Sequence, residues 1–178
     1  MIEVVISLAV MAILLVSVFS ITVETSAFVA NNDTDAAVQA EVQQGMNRLT
    51  ELLRKCGWNT AAGTTYPRVT SSGNALQFRR LQDLDGNGYP FDAATGGLEW
   101  AATVYEIRVD GSGNLQVFAG GAPVWHLCRF VSDVDFATYL EVSSLALREI
   151  QVTVRTQRLN RRGETLGATL SGTVDMRN

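Results

Sequence analysis

The chain has 178 residues, which is enough for one ordinary domain with an appended element but short for two full domains. Its 14 Lys and Arg against 18 Asp and Glu give a formal net charge of -4, so no overall positive field draws in nucleic acid. The segment before Asn31 is almost purely apolar, whereas the remainder has the composition of an ordinary water-soluble domain.

The first predicted element is a membrane-spanning helix. Twenty residues from Val4 to Val23 carry no charge, and as a helix they would be about 30 Å long, the thickness of a bilayer core. A cleaved secretory signal fits poorly, because no Lys or Arg precedes Arg48. The first charges after the span are the acidic Glu24 and Asp33, which favours export of the rest of the chain.

Glu3 lies at the start of this apolar run, where a carboxylate is costly in lipid unless it has a partner. Physics alone leaves two interpretations open, a headgroup-level charge of a signal anchor or a carboxylate that pairs with a cation of another helix. The stretch IEVVISLAVMAILL, residues 2–15, resembles the N-terminal segment of type IV prepilin-like proteins. Mature chains of that family begin with a few apolar residues, then a glutamate, then an unbroken helix.

This resemblance implies a function in assembly. In that family the glutamate is assigned to pairing with the N-terminal amine of a neighbouring subunit. Glu3 is therefore expected to set the register in which subunit helices pack, because a desolvated carboxylate needs a correctly placed cation. The partners implied are other pilin or pseudopilin subunits, the inner membrane before assembly and, if a leader exists, a prepilin peptidase.

Two departures from the family bear on the kind of subunit. Met1 stands where the family normally has a third apolar residue. Major pilins also tend to carry a helix-bending proline near the position of Ser20, whereas the first proline of this chain is Pro67. The missing proline favours a minor subunit.

The second predicted element is an amphipathic helix over residues 28–56, which continues the transmembrane helix of residues 1–27. Its apolar positions recur at three- and four-residue steps and are Val38, Val42, Met46, Leu49, Leu52, Leu53 and Cys56. The polar triplet at residues 31–33 is expected to interrupt or bend the helix, since such side chains compete for backbone hydrogen bonds. Gly57 predicts its end.

From residue 57 onward the periodicity shifts toward two and predicts strands at residues 75–80, 101–109, 115–119, 145–159 and 165–176. Turns at residues 110–114 and 160–163 join two pairs of these strands, which implies antiparallel pairing. Residues 57–178 are thus β-rich and form, with the amphipathic helix, an exported globular domain over residues 28–178. The predicted fold class is α+β, a long N-terminal helix packed on an antiparallel sheet, as in pilin-like domains.

The C-terminal half resembles one branch of the family, the PilW-like minor pilins and J-type minor pseudopilins of type II secretion. The similar features are FRRLQDLDGNG, VYEIRVDGSGNLQVF, a strand centred on Trp125 and a final strand pair ending at Asn178. This resemblance implies a subunit that initiates or caps a type IV pilus or a secretion pseudopilus. Its domain would lie in the periplasm and, after assembly, in a filament at the cell surface.

The connection between the first two long strands resembles half of an EF-hand loop. Its oxygen donors are Asp83, Asp85, Asn87, the Tyr89 carbonyl and Asp92, with Gly88 at the turn. Calcium is the cofactor that this chemistry suits. Ala94 occupies the position of the bidentate glutamate, so Asp92 or Glu99 would have to substitute. The alternative is a tight surface turn, which needs the same residue types.

Cys56 and Cys128 are the two cysteines of the chain. An even number in an exported segment predicts a disulfide, which would tie the helix end to the sheet. In the chain-entropy model, closing a loop of that length stabilises the fold by about 4 kcal/mol. Two buried free thiols are the alternative.

A DNA-binding role and an enzymatic role are both disfavoured. Four arginines, Arg155, Arg158, Arg161 and Arg162, lie on one strand and its turn, but acidic neighbours and the net charge favour a solvated hairpin. The chain has no phosphate loop, nucleophile elbow or metalloprotease motif, and Asp133 and Asp135 fit a solvent-facing edge or turn. The alternative function is a signal-anchored periplasmic or surface domain outside any filament, binding calcium or DNA.

Overall fold

The computed structural model describes residues 2–61, 63–70, 72–139, 142, 145, 148–160 and 163–176. Within these ranges one α-helix is followed by ten β-strands. The expectations for Met1, Arg161, Arg162 and Asn178 lie outside the described residues.

Helix α1 spans Ile2–Arg54, 53 residues in one element. At 1.5 Å per residue it is about 80 Å long. The expected interruption at residues 31–33 is wrong, because the helix continues through them and the Thr34 hydroxyl donates to the Ala30 carbonyl at 2.8 Å. The helix ends two residues before the predicted boundary, and the Lys55 N–H closes the last turn on the Leu52 carbonyl at 3.1 Å.

The two halves of α1 differ in burial. The buried positions all lie in its second half and form one stripe of Val38, Val42, Gly45, Met46, Leu49 and Leu53. Every large apolar side chain from Ile2 to Val29 is at least 51% exposed. We call residues 2–29 the apolar arm. The structure therefore divides the helix into an arm and a half that packs on the domain.

The strands form three antiparallel sheets. A hairpin of β1 (Asn59–Ala61) and β2 (Thr64–Tyr66) stands alone. The five-stranded sheet has the order β3 (Arg68–Val69), β4 (Ala75–Phe78), β5 (Tyr105–Val109), β6 (Leu115–Ala119) and β7 (Ala122–Cys128). The three-stranded sheet has the order β10 (Thr165–Asp175), β9 (Glu149–Leu159) and β8 (Val131–Ala137).

The predicted α+β fold class is confirmed, since the long N-terminal helix packs against antiparallel sheets. Helix α1 contacts β7 of one sheet and β9 and β10 of the other. Its stripe and the inner faces of both sheets enclose one hydrophobic core, which includes Leu49, Phe78, Ile107, Val117 and Val152. The two predicted hairpins are present as β5–β6 and β9–β10, while β8 and the short strands β1, β2 and β3 were not predicted.

The predicted Cys56–Cys128 disulfide is wrong, because both cysteines are free and buried. Cys128 packs against the helix at Gly45, where an added Cβ would lie 2.5 Å from the Cys128 Cβ. Cys56 follows Gly45 by eleven residues, about 16 Å along a helix axis, whereas a disulfide needs Cα atoms within about 7 Å. Cys128, on β7, therefore lies beside Gly45, whereas Cys56 lies just beyond the end of α1.

Candidate functional sites in the apolar arm and the acidic loop

The apolar arm has the length and composition to cross a membrane. Its side chains have no core to enter, since the first buried residue of the helix is Val38. Exposing so many large apolar side chains to water is unfavourable, at roughly 25 cal/mol per Å² of apolar surface. The arm therefore needs an apolar environment outside this chain, supplied by lipid or by other helices.

Glu3 lies in the first turn of α1, where the Ser7 hydroxyl donates to its backbone carbonyl at 2.8 Å. An acidic side chain in the first turn of a helix is favoured by the partial positive charge of the helix N-terminus. None of the ion pairs among the described residues includes Glu3. The carboxylate is thus placed at the end of the arm, open to a partner outside this chain.

The second candidate is the connection between β4 and β5, whose residues 82–99 we call the acidic loop. Backbone bridges join Leu81 to Trp100 at its base and Phe91 to Leu98 near its tip. The Gln82 N–H also donates to the Glu99 carbonyl at 3.1 Å. These pairings bring the start of the loop, with its predicted ligands, beside its end.

Asp83 organises the first turn of the loop. One carboxylate oxygen accepts the N–H groups of Gly86 at 2.7 Å and Asn87 at 3.2 Å, and the other accepts that of Gly88 at 2.8 Å. Gly88 has a φ of 88°, a left-handed conformation that favours glycine. The sequence pattern thus folds into a tight turn that converges on one carboxylate.

The structure gathers three carboxylates in this loop, those of Asp83, Asp85 and Glu99, whose oxygens lie within 4.8 Å of one another. Glu99 is held there by the Leu84 N–H, which donates to it at 2.6 Å. Hydrogen bonds, first that from the Ala93 N–H, lower the pKa of Asp85 below its ordinary value. Asp85 is therefore anionic at neutral pH. None of the three carboxylates forms an ion pair among the described residues.

The other predicted ligands are placed differently. Asp92 lies outside the group, because its carboxylate accepts the Ala94 N–H at 2.7 Å and the Thr95 hydroxyl at 2.7 Å. Asn87 presents its amide nitrogen to Asp85 at 2.9 Å, and its amide oxygen accepts the Tyr89 N–H at 2.7 Å. Of the two substitutes for the missing glutamate, the fold brings in Glu99.

This arrangement fits a hard divalent cation in part. Carboxylate oxygens are the ligands that Ca²⁺ prefers, and three of them converge from two sides of the loop. Asn87 would complete the set only after turning its amide oxygen toward the carboxylates. The calcium site stays a prediction, with Glu99 in the place proposed for Asp92.

The basic group predicted on the last hairpin is partly neutralised. Arg155 on β9 forms ion pairs with both Asp133 and Asp135 on β8, the second at 2.6 Å. The hydrogen bond that Arg155 donates to Asp135 is the main reason that the pKa of Arg155 is raised. The two aspartates therefore lie on β8, an edge strand, which is one of the two placements that the sequence predicted. Both of them pair with Arg155, so the charge of this arginine is already balanced within the domain.

Comparison with known proteins adds no relative, since no family model, curated protein or solved structure matches the chain. Its functional interpretation therefore rests on its own residues and their geometry.

Proposed function

We propose that this chain is a type IV pilin-like subunit, a minor pilin or a pseudopilin, that acts by assembly rather than by catalysis. The observation that carries the proposal is the single helix of 53 residues, with Glu3 at its start, an exposed apolar arm and a buried stripe in its second half. One helix thus crosses the membrane with its first half and packs on the domain with its second half. The PilW-like and J-type resemblance supports a subunit that initiates or caps a pilus or a secretion pseudopilus.

The mechanism follows from the two apolar environments that can surround the arm, lipid and the helices of other subunits. In the inner membrane the arm contacts lipid, and on assembly it trades these contacts for the arms of neighbouring subunits. Lipid tails are as apolar as the arm, so the hydrophobic effect gives little preference between the two states. Glu3 then supplies the preference, because it is stabilised only where a neighbour places a cation, such as an N-terminal amine, against it.

The test is a Glu3→Leu substitution in the native host, scored for filament assembly and, by fractionation, for membrane insertion. The matched control is Glu24→Leu, which removes a carboxylate from the other end of the span. We expect Glu3→Leu to insert normally and to lose assembly, and Glu24→Leu to keep both.

Normal assembly of Glu3→Leu would contradict the register function. It would leave the alternative of a signal-anchored periplasmic or surface domain outside any filament, with Glu3 as an interfacial charge. The absence of an enzymatic activity is also part of this proposal.

A further inference from the structure

A polar cleft lies where the edge strand β8 meets the five-stranded sheet. It has a volume of about 370 Å³ and is lined by residues of the β3–β4 turn, of β5 and of β8. Ligand sites in proteins occupy roughly 300–1,000 Å³, so the cleft can hold a small molecule. Three of its ten lining residues are apolar, namely Ala75, Val109 and Val134. None of the ten belongs to the apolar arm or to the acidic loop, so the cleft is a separate feature of the globular domain.

Two backbone hydrogen bonds fix the walls of the cleft. The Phe136 N–H donates to the Gly73 carbonyl at 2.8 Å, which joins β8 to the β3–β4 turn. The Val131 N–H donates to the Gly113 carbonyl at 2.8 Å, which joins β8 to the β5–β6 turn. The two glycines have φ angles of 75° and 76°, which residues with a Cβ rarely adopt. The lining residues 132–134 lie between the two hydrogen bonds, so β8 is held against the other sheet on both sides of them.

The charged groups of the cleft are balanced within the domain. On β5, the Arg108 Nε lies 3.0 Å from a Glu106 carboxylate oxygen. On β8, Asp133 pairs with Arg155. Each carboxylate of the lining thus has an arginine of its own. A phosphate or a metal ion would find no unbalanced charge to pair with, and an apolar molecule would find little apolar surface. The lining therefore suits a neutral, polar ligand.

Arg108 is a donor held in position for such a ligand. Its Nε faces Glu106, and its guanidinium lies over the Phe118 ring, 4.3 Å from the ring centre. These two contacts fix the plane of the guanidinium. Its terminal nitrogens have no hydrogen bond among the described residues, so they remain able to donate to a bound molecule.

Two further side chains of the lining also retain hydrogen-bonding capacity. The Asn74 amide oxygen accepts from the Ser72 hydroxyl, and no acceptor for the Asn74 amide nitrogen is present in the described part of the chain. Asp133 accepts from Arg155 through one carboxylate oxygen, which leaves the other oxygen as an acceptor. The cleft thus combines donors from the turn and β5 with an acceptor from β8.

We propose that the cleft binds one saccharide unit of a carbohydrate. A sugar ring is uncharged and carries neighbouring hydroxyls, each of which can both donate and accept a hydrogen bond. The hydroxyls of Thr70 and Ser132 in the lining have the same double capacity. The proposal goes beyond the proposed function, because the cleft belongs to the globular domain and requires neither a membrane nor a filament.

The experiment measures binding to the isotope-labelled full chain by NMR. Micelles of a phosphocholine detergent are used, because glucoside and maltoside detergents carry sugars themselves. The probes are the methyl glycosides of glucose, galactose, mannose and N-acetylglucosamine. We expect at least one of them to shift the Ser132 backbone amide and the Asn74 side-chain amide, and to leave the Tyr89 amide in the acidic loop unchanged. A sugar exchanges hydrogen bonds with water for those of the cleft, so its dissociation constant should be about 1–10 mM.

Two variants, read from the Ser132 signal, test whether the cleft is the binding site. Arg108→Gln removes a charged donor and should weaken binding about tenfold, and Asn74→Ala removes a neutral donor and should weaken it about threefold. The matched controls are Arg158→Gln, at another arginine that lies over a phenylalanine ring, and Ser112→Ala, in another exposed turn. Neither control residue lines the cleft, so binding should be unchanged. All four positions are exposed, so we expect the variants to fold.

Three results would overturn the proposal. Unchanged Ser132 and Asn74 signals with all four glycosides would exclude the saccharide. Full affinity in both Arg108→Gln and Asn74→Ala would place the sugar elsewhere on the molecule. Sodium phosphate or magnesium chloride that shifts the same signals at lower concentration than any glycoside would assign the cleft to an ion. These outcomes are independent of membrane insertion and filament assembly, which the Glu3→Leu experiment addresses.

Discussion

At the scale of single residues, Gly45 shows how close α1 lies to the sheet. A Cβ at this position would lie 2.5 Å from the Cys128 Cβ and 3.0 Å from its sulfur. Glycine in a helix interior costs about 1 kcal/mol relative to alanine, so propensity alone favours replacing it. The contact with β7 opposes that replacement, because the nearer atom, the Cys128 Cβ, is attached directly to the backbone.

We expect Gly45→Ala to lower the free energy of unfolding by roughly 1–3 kcal/mol, the usual cost of overpacking. Urea denaturation checks this result. Gln44→Ala, an exposed position on the same helix turn, should change the free energy of unfolding by less than about 0.5 kcal/mol. A stabilised Gly45→Ala variant would mean that the helix and β7 are further apart than described.

The two thiols yield a prediction about reactivity. Burial raises the pKa of Cys56 to about 12 and that of Cys128 to about 11. The thiolate is the reactive form, so both residues should resist a thiol reagent at pH 8 in the folded protein and react once it is unfolded in urea. Rapid modification of either residue without urea would contradict this. Mass mapping under non-reducing conditions should find no disulfide.

The raised pKa values of the two thiols make the stability of the folded protein depend on pH. Each thiol has a folded-state pKa above its unfolded value of about 9, so its contribution to stability is complete below pH 9. That contribution is lost as the pH rises from 9 through the folded-state value. The urea midpoint should therefore fall between pH 9 and pH 11, and it should fall less steeply in Cys56→Ala.

At the scale of secondary-structure elements, the sequence predicted those elements whose apolar residues recur at a regular spacing. The stripe of Val38, Val42, Met46, Leu49 and Leu53 is buried as its spacing predicted. Strand β8 was missed for a physical reason. A register shift between Val131 and Asp133 breaks its two-residue period, so its buried positions 131, 134 and 136 do not alternate.

The acidic loop shows which part of a metal site a sequence motif can predict and which part it cannot. The turn at Asp83–Gly88 follows from local chemistry and was recognisable, whereas the choice between Asp92 and Glu99 was not. Asp92 is captured by its own turn at Thr95, and Glu99 arrives through the backbone bridge of Leu81 to Trp100. Such a pairing depends on the two ends of a long loop, which spacing alone does not reveal.

The loop supports a calcium prediction. We expect Ca²⁺ to bind with a dissociation constant of about 0.1–1 mM, as in weak extracellular sites, measured by calorimetry in detergent. Glu99→Gln should weaken binding by roughly tenfold, since it removes a carboxylate from a site where ligand charge sets affinity. Asp92→Asn should leave binding unchanged. The opposite order of the two variants would restore Asp92 as the ligand.

At the scale of the whole molecule, the arm and the domain separate cleanly in their packing. The buried core of the described residues begins at Val38, beyond the arm. We expect a chain without residues 2–29 to be soluble without detergent and to unfold with a free energy within about 1 kcal/mol of the full chain. Circular dichroism and urea denaturation measure this. A large loss of stability would mean that the arm folds back on the domain.

The unbroken run of α1 from Ile2 to Arg54 also fixes an angle. A helix advances about 100° around its axis per residue. The number of residues between the arm and the domain therefore fixes the rotation of the domain about the helix axis relative to the arm. One residue inserted between Val29 and Val38 would turn the domain by about 100° relative to the arm, and seven would return it to within about 20°. The phase of this segment therefore decides which side of the domain meets a neighbour whose arm packs beside this one.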